Sequence, residues 1–417
     1  MRLSKRTRGR IPRKAALSAA LLGLTLAAPT FAGPPPGAAN VAQNPGVRQV
    51  AQADADFGFR LLARLAPDKG HANVFFSPFS ISQALSLALN GAGGTTRQGI
   101  VDTLGLGAMT TGEVNAANGL LLPSLENPDP SVQMDVANAL WLQTGETFRP
   151  TFQSACRQFY GADTRTLNLR GPEGAPAING WVKAKTHGKI DELVSASDLR
   201  GATAVLTNAV YFHGQWSTPF PKGATQPAPF TLADGTRKQV PLMARAGKLS
   251  YLKGDGFQAV RLPYGAGRLA MYVFLPDAPT GLDGFLATAT AARFNGWVAA
   301  MRPAQVSLFL PKFHADDSRR LKEPLSQMGM AKAFGRHADF SPMALRPNAI
   351  GEVVHKATLD VDEEGTTATA ATGVIMMRSL AMPYSPPVVV RVDHPFLCVL
   401  RDDATGAVLF LGAIREA

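Results

Sequence analysis

The sequence predicts an α+β fold in one large domain, and three observations carry that prediction. Apolar residues recur at i, i+3, i+4 spacing through much of the first half of the chain. From Ala204 onward, runs of strand character dominate. Helix and strand patterns hardly alternate, which argues against a βαβ plan and for large antiparallel or mixed sheets. In chain order, residues 1–32 have the layout of a secretory signal. Arg2, Lys5, Arg6, Arg8, Arg10, Arg13 and Lys14 form a basic start, Ala15–Ala28 is nearly all Ala and Leu, and Thr30-Phe31-Ala32 is a small-x-small cleavage site. Residues 33–48, rich in Pro, Gly, Ala and Asn, read as a flexible linker, and 49–417 as a single domain.

Within that domain, helices are expected over Ala53–Leu65, Ser80–Asn90, Thr95–Leu104, Pro150–Tyr160, Ala175–His187, Leu282–Met301 and Ser318–Met328. Val132–Leu142 reads as a buried strand. VLTNAVYF, the Asp-Gly hairpin PFTLADGTRKQVPLM, FQAVRLPY, LAMYVFLP, VSLFLP and VVHKATLDV follow as strands, and PPVVVRVD, FLCVLRD and AVLFLGAI close the chain.

Charge excludes one function class. The formal charge of +11 comes largely from the signal: without it, 42 − 7 = 35 basic residues face 31 acidic ones, a net +4. No compact basic patch with interleaved aromatics remains, so no nucleic-acid partner is expected. No segment after the signal approaches ~18 uninterrupted apolar residues, so no membrane partner is expected either. Cys156 and Cys398 allow at most one disulfide and read as separate buried thiols.

Enzyme motifs appear only as fragments. Ser250-Tyr251-Leu252-Lys253 fits S-x-x-K but sits in a strand pattern without companion motifs. Gly265-Ala266-Gly267-Arg268-Leu269-Ala270 fits G-x-G-x-x-A, yet a strand follows where a phosphate-binding helix is needed. The seven histidines show no metal-ligand spacing. No enzyme, metal or cofactor is expected.

The most informative segment is VDEEGTTATAATGVIMMRSLAMPYSPP, residues 361–387. Gly365–Gly373 contains only Gly, Thr and Ala, and Pro first appears at Pro383. An ordinary loop carries charge and proline; this one lacks what would forbid a central strand. As a strand it would place Thr366, Ala368, Ala370 and Thr372 on one face and Thr367, Thr369, Ala371 and Gly373 on the other.

That segment resembles the reactive-centre loop of the serpin family, and the resemblance spans nearly the whole domain. It includes Asn73–Ser82 (NVFFSPFSIS), Val136–Leu142 (VANALWL), Leu206–Trp216 (LTNAVYFHGQW), Val260–Tyr264 (VRLPY), Leu310–Phe313 (LPKF), Val353–Ala357 (VVHKA), Glu363–Thr366 (EEGT), Asp393–Phe396 (DHPF) and Leu409–Gly412 (LFLG). The resemblance implies helices around three β-sheets with an exposed loop at about 363–387. It implies a secreted serine-protease inhibitor, extracellular or periplasmic, that works as a suicide substrate: the cleaved loop enters the main sheet and traps the acyl-enzyme in a covalent 1:1 complex. A monomer is expected, and the short Ala/Leu-rich signal is compatible with a bacterial origin. A non-inhibitory carrier or chaperone is the alternative.

Residue roles follow from the same resemblance. Ser77, Ser80, Asn208 and His355 match the polar cluster where the sheet parts, and Trp216 the upper sheet. Glu363, Glu364, Gly365, Thr366, Thr367, Ala368, Thr369 and Ala370 match an inhibitory hinge, with Thr367 replacing the usual Glu. Bait chemistry favours Arg378-Ser379 as the scissile bond and a trypsin-like target. Hinge counting gives Ser379-Leu380 and C-terminal alignment Tyr384-Ser385. Met377-Arg378 or Ser379-Leu380 would instead suit chymotrypsin-, elastase- or subtilisin-like enzymes. Residues 105–125 carry no Lys or Arg, so activation by heparin through that region is not expected.

Overall fold

A computed structural model describes residues 38–66, 72–126, 128–345, 349–366 and 386–417; the expected signal, 1–32, lies outside them. Ten α-helices are described: α1 (Ala38–Gln43), α2 (Pro45–Leu65), α3 (Pro78–Leu89), α4 (Gly94–Leu104), α5 (Thr111–Glu126), α6 (Pro150–Tyr160), α7 (Gly174–Lys185), α8 (Leu282–Thr288), α9 (Ala291–Ala300) and α10 (Lys322–Leu325). The strands are β1 (Val74–Phe76), β2 (Val132–Gln143), β3 (Asp163–Leu167), β4 (Ala204–Gln215), β5 (Gln226–Thr231), β6 (Arg237–Gly254), β7 (Phe257–Pro263), β8 (Leu269–Pro276), β9 (Arg302–Pro311), β10 (Phe313–Arg320), β11 (Ile350–Val361), β12 (Gly365–Thr366), β13 (Val388–Arg391), β14 (Phe396–Asp402) and β15 (Val408–Ile414).

The α+β class holds; among the described residues the strands join into two hydrogen-bonded sheets where three were expected. Nine strands form one, in the order β1-β15-β14-β8-β7-β6-β9-β13 with β5 beside β6; the other runs β10-β11-β12-β4-β2-β3. The merger is due to β6, whose 18 residues pair with β5 over Arg237–Leu242, with β9 over Leu242–Tyr251 and with β7 over Ser250–Gly254. α3, buried along its whole length, packs against β2 and β4 and also against β15. Its start follows local rules: Ser77 caps it by accepting from the Ser80 N–H, and Pro78 fits the first turn.

Three sequence expectations are corrected. Residues 38–48 are helical rather than a linker: Asn44 accepts from the Val47 N–H, Pro45 opens α2, and Val47 is buried. Ser318–Arg320 belong to a strand, leaving only the short α10 and the irregular turns after it. Leu282–Met301 is two helices, α9 opening with its own cap at Thr290. Ser250–Lys253 lies within β6, and Gly265–Gly267 turns between β7 and β8. Cys156 and Cys398 are both buried and unbridged, and burial pushes each thiol up to about 12. Among the described residues, no helix is long and apolar enough to cross a membrane.

One buried acid sits in this helical layer. Asp54 of α2 is fully buried, accepts from the Ser82 hydroxyl through Oδ1, and has no partner for Oδ2. Desolvation pushes its carboxyl up to about 7, against the opposing pull of Ser82. An unfolded Asp titrates near ~3.9, so between about pH 4 and 7 the folded state holds a proton that the unfolded chain has released, and stability falls as pH rises. Asp54→Asn is expected to remove that slope and to stabilise the protein at pH 8 by up to about 4 kcal/mol. Melting curves at pH 5 and pH 8 check this; an unchanged slope would refute it.

Candidate functional site

The site is a seam in the six-stranded sheet. β4 and β11 pair directly and in parallel from Ala204 and Ile350 to Val210 and Ala357. Above that level they part and β12 fills the gap, antiparallel to both: Gly365 faces Gln215, while Thr366 faces Gly214 on one side and Val361 on the other. Only glycine fits at 365, since a Cβ there would lie 2.1 Å from the Gly214 carbonyl oxygen. Thr366 is fully buried, and its Oγ1 lies 2.9 Å from the Tyr264 hydroxyl.

A clamp of charges and backbone bonds surrounds this short strand. The Glu363 carboxylate accepts from Lys312 Nζ at 2.8 Å and from Thr225 Oγ1 at 2.7 Å, and Lys222 pairs with Glu364. Burial works against the Glu363 charge, but Lys312 and Thr225 outweigh it and hold the carboxyl below its ordinary range. Trp216 stacks on Tyr264 at 4.3 Å. Its backbone N–H donates to the Glu364 carbonyl, and its indole donates to the Asp362 carbonyl at 2.9 Å. The Phe220 N–H donates to the Glu363 carbonyl at 2.7 Å.

Deeper in the seam the structure brings Ser77, Ser80, Asn208 and His355 together. The Ser77 N–H donates to His355 Nε2 at 3.1 Å, so the proton sits on Nδ1, which donates to Asn208 Oδ1 at 2.6 Å. Asn208 Nδ2 donates to the Ser80 carbonyl at 2.9 Å and to Asn138 Oδ1 of β2 at 2.8 Å. One network thus ties β11, β4, β2 and the start of α3. Burial pushes His355 down to about 3, with Arg319 adding like-charge repulsion, so the ring is neutral near pH 7.

Of the hinge, Glu363, Glu364, Gly365 and Thr366 are placed in or beside β12; Thr367, Ala368, Thr369 and Ala370 lie outside the described residues, as do Arg378 and Ser379. Asn138, Thr225, Lys222, Lys312 and Tyr264 were not assigned from sequence. Lys312, Tyr264 and Asn138 stand inside the matching runs LPKF, VRLPY and VANALWL, which gave the family resemblance but no role. Nothing in sequence marks Lys222 or Thr225. Among the described residues, no group of three or more His, Cys, Asp or Glu side chains is placed to hold a metal.

Fold and site together define a protein whose six-stranded sheet has a gap between two central strands, partly filled by the two-residue β12. The serpin (serine protease inhibitor) family model matches residues 52–417, and the chain belongs to the serpin family. The leukocyte elastase inhibitor of Sus scrofa is 33% identical over 89% of this chain and 100% of its own. An uncharacterised serpin-like protein of Thermococcus kodakarensis is 36% identical over 88% of this chain and 86% of its own. Human thyroxine-binding globulin complexed with thyroxine superposes with a TM-score of 0.83 at 26% identity, covering 89% of this chain and 99% of that one. These relatives thus include a protein named as an elastase inhibitor and one that binds thyroxine. These animal and archaeal relatives give no support to a bacterial origin.

His355 provides a pH test of the seam. An unfolded His titrates near ~6.5, so as pH falls from there toward 3 the unfolded chain gains a proton that the folded state refuses, and stability drops. His355→Gln is expected to start about 1–3 kcal/mol less stable at pH 7, through unsatisfied buried partners, and to lose this acid-side slope. Denaturant unfolding at pH 7 and pH 5 in an Asp54→Asn background isolates the effect; equal slopes with and without His355 would count against it.

Proposed function

We propose that the chain is a secreted inhibitor of serine proteases that acts as a suicide substrate. The observation that carries this reading is β12: two hinge residues already pair with β4 and β11 in the register that a longer inserted strand would extend. Continuing that register would bring Thr372 between Asn208 and His355, which face each other across the seam, and Met376 opposite Ala204, where the seam ends. Thr366, Ala368, Ala370, Thr372, Val374 and Met376 then share the core side, small at the top and apolar lower down. Every side chain of Thr366–Met377 is uncharged, so none would bring an unpaired charge into the sheet.

In this mechanism the protease serine Oγ attacks the carbonyl carbon of Arg378. The Arg378–Ser379 peptide bond breaks, the Ser379 amine leaves with a proton from the protease histidine, and an acyl-enzyme ester remains. About 13 residues, Thr366 to Arg378, then enter the seam and carry the ester ~40 Å before water hydrolyses it. The intact loop stays outside because the closed seam is a kinetic barrier. The Arg378 side chain favours a trypsin-like target; Ser379-Leu380, Met377-Arg378 and Tyr384-Ser385 are the competing bonds. The pattern of residues 1–32 supports secretion, and no Lys or Arg on α5 offers a heparin site. The partner is one protease molecule, bound covalently.

The test incubates the chain beginning at Gly33 with trypsin. A band near the summed masses that survives boiling in SDS, with a released peptide starting at Ser379, is expected. Thr372→Arg should still be cleaved but form little complex, with over tenfold more inhibitor consumed per protease trapped. Cleavage of the unaltered chain without a complex would instead indicate a non-inhibitory carrier or chaperone, and no cleavage would discard Arg378 as bait.

A further inference from the structure

The six-stranded sheet has a second covered face, opposite α3. There α7 packs Ile178, Trp181 and Val182 over β2, with Trp181 edge-on to Trp141 at 5.7 Å. The segment 186–203 then runs back to the start of β4, and its apolar residues share a core with Val205 and Ala209 of β4 and Val354 of β11. This segment therefore crosses the β4–β11 seam on the outer face.

Its anchors differ on the two sides. Toward β2 and β3 the hold is broad: beyond the apolar packing, the Trp181 indole donates to Asp163 at 2.7 Å, and His187 Nε2 lies 3.0 Å from Asp135. Toward β10 and β11 the polar hold is narrow. Asp198 pairs with Arg320 of β10, Lys189 lies 4.0 Å from Asp360 of β11, and Thr203 Oγ1 donates to the Ala349 carbonyl at 3.3 Å. Asp198 is the best built of these. Its side chain is 6% exposed, and it also accepts from the Ser195 N–H at 2.8 Å and the Ser195 hydroxyl at 2.7 Å. Arg320 is held from one side, its Nε donating to Asp198 Oδ1, with its side chain 62% exposed.

A strand added between β4 and β11 moves them apart by one strand spacing, ~4.8 Å. A segment anchored on both halves cannot keep a contact-distance ion pair through that displacement unless its other anchors yield. The side held by apolar packing is the stronger, so the ion pair is the part that lets go. We propose that Asp198–Arg320 is a latch across the seam, closed in the intact chain and broken before a strand enters, so that Arg320 and Asp198 set how fast the sheet opens. This inference rests on the insertion reading above and adds residues that the hinge and the buried cluster do not include; both are positioning residues, remote from the scissile bond.

The test uses a synthetic peptide, TTATAATGVIMM, matching Thr366–Met377, offered to the intact chain from Gly33 onward, with uptake followed on native gels and by tryptophan fluorescence. Arg320→Ala is expected to take it up about three- to tenfold faster, the range of a partly buried ion pair lost before the barrier. Asp198→Asn should do the same, and the double variant should be no faster than either single one. Raising salt from 50 to 500 mM should speed the parent chain and leave Arg320→Ala unchanged. Lys253→Ala, which breaks an exposed pair with Asp277 in the nine-stranded sheet, away from the seam, should match the parent.

Unchanged uptake by Arg320→Ala, or additive effects in the double variant, would overturn the latch. A stable trypsin complex alongside that result would leave the inhibitory reading intact. Latch-dependent uptake with no trypsin complex would do the reverse, and no uptake by any variant together with no trypsin complex would remove both.

Discussion

The rest of the structure depends on the contact between β4 and β11. It lies at the centre of a sheet, where a strand pair is normally the most permanent part of a fold. Here two strands far apart in sequence run parallel, held along the seam by backbone bonds and by the buried hydrogen bond from His355 to Asn208. A seam closed only by interlocking apolar side chains would have to repack to open. A seam closed by hydrogen bonds can exchange them, since an incoming strand offers its own N–H and C=O groups to both edges. The neutral His355 is essential to this: a charged ring, unpaired at that depth, would be costly whether the seam is open or closed.

Around the seam, the clamp and the crossing segment do different work. Lys312, Lys222 and Thr225 hold Glu363 and Glu364 at the upper end, fixing where a strand would begin. Gly365 sets how far it has begun, because its missing side chain alone lets β12 approach Gly214. The segment 186–203 acts lower down and on the outer face. In the proposed mechanism the start of insertion and its progress would depend on separate residues, so one could be altered without the other.

Much of this was legible in the sequence, and the failures have identifiable causes. β4 reads as a strand because VLTNAVYF is rich in β-branched and aromatic residues and buried on both faces. β10 was read in part as a helix because its inward positions carry Asp317 and Arg319, buried as a pair, which breaks the apolar alternation that marks a half-buried strand. β3, DTRTL, is half-exposed and polar and gives no signal at all. α5 escaped notice for the opposite reason: its Ala, Asn and Gly residues and an internal Pro123 blur the helical period, although Asn115 and Asn118 are buried on the face it packs inward. In the lead-in, composition pointed to a linker, whereas Asn44-Pro45 is also a helix start. Composition averages over a segment; a cap is a single hydrogen bond.

The site shows the same division. The uncharged run from Gly365 to Met377 could be found from the residues themselves, and His355 only through its match to the family pattern. Residues that matter by juxtaposition could not, since Lys312 and Glu363 are 51 positions apart and Asp198 and Arg320 are 122. The covered outer face also changes how the loop composition is read. Polar side chains are tolerable on a strand whose outer side meets water, yet here the seam is crossed by a segment packed on Val205, Ala209 and Val354. A strand entering beneath it would have both faces confined along that stretch. In such a strand, absence of charge on Ala371 and Gly373 would be as necessary as on Ala370 and Thr372.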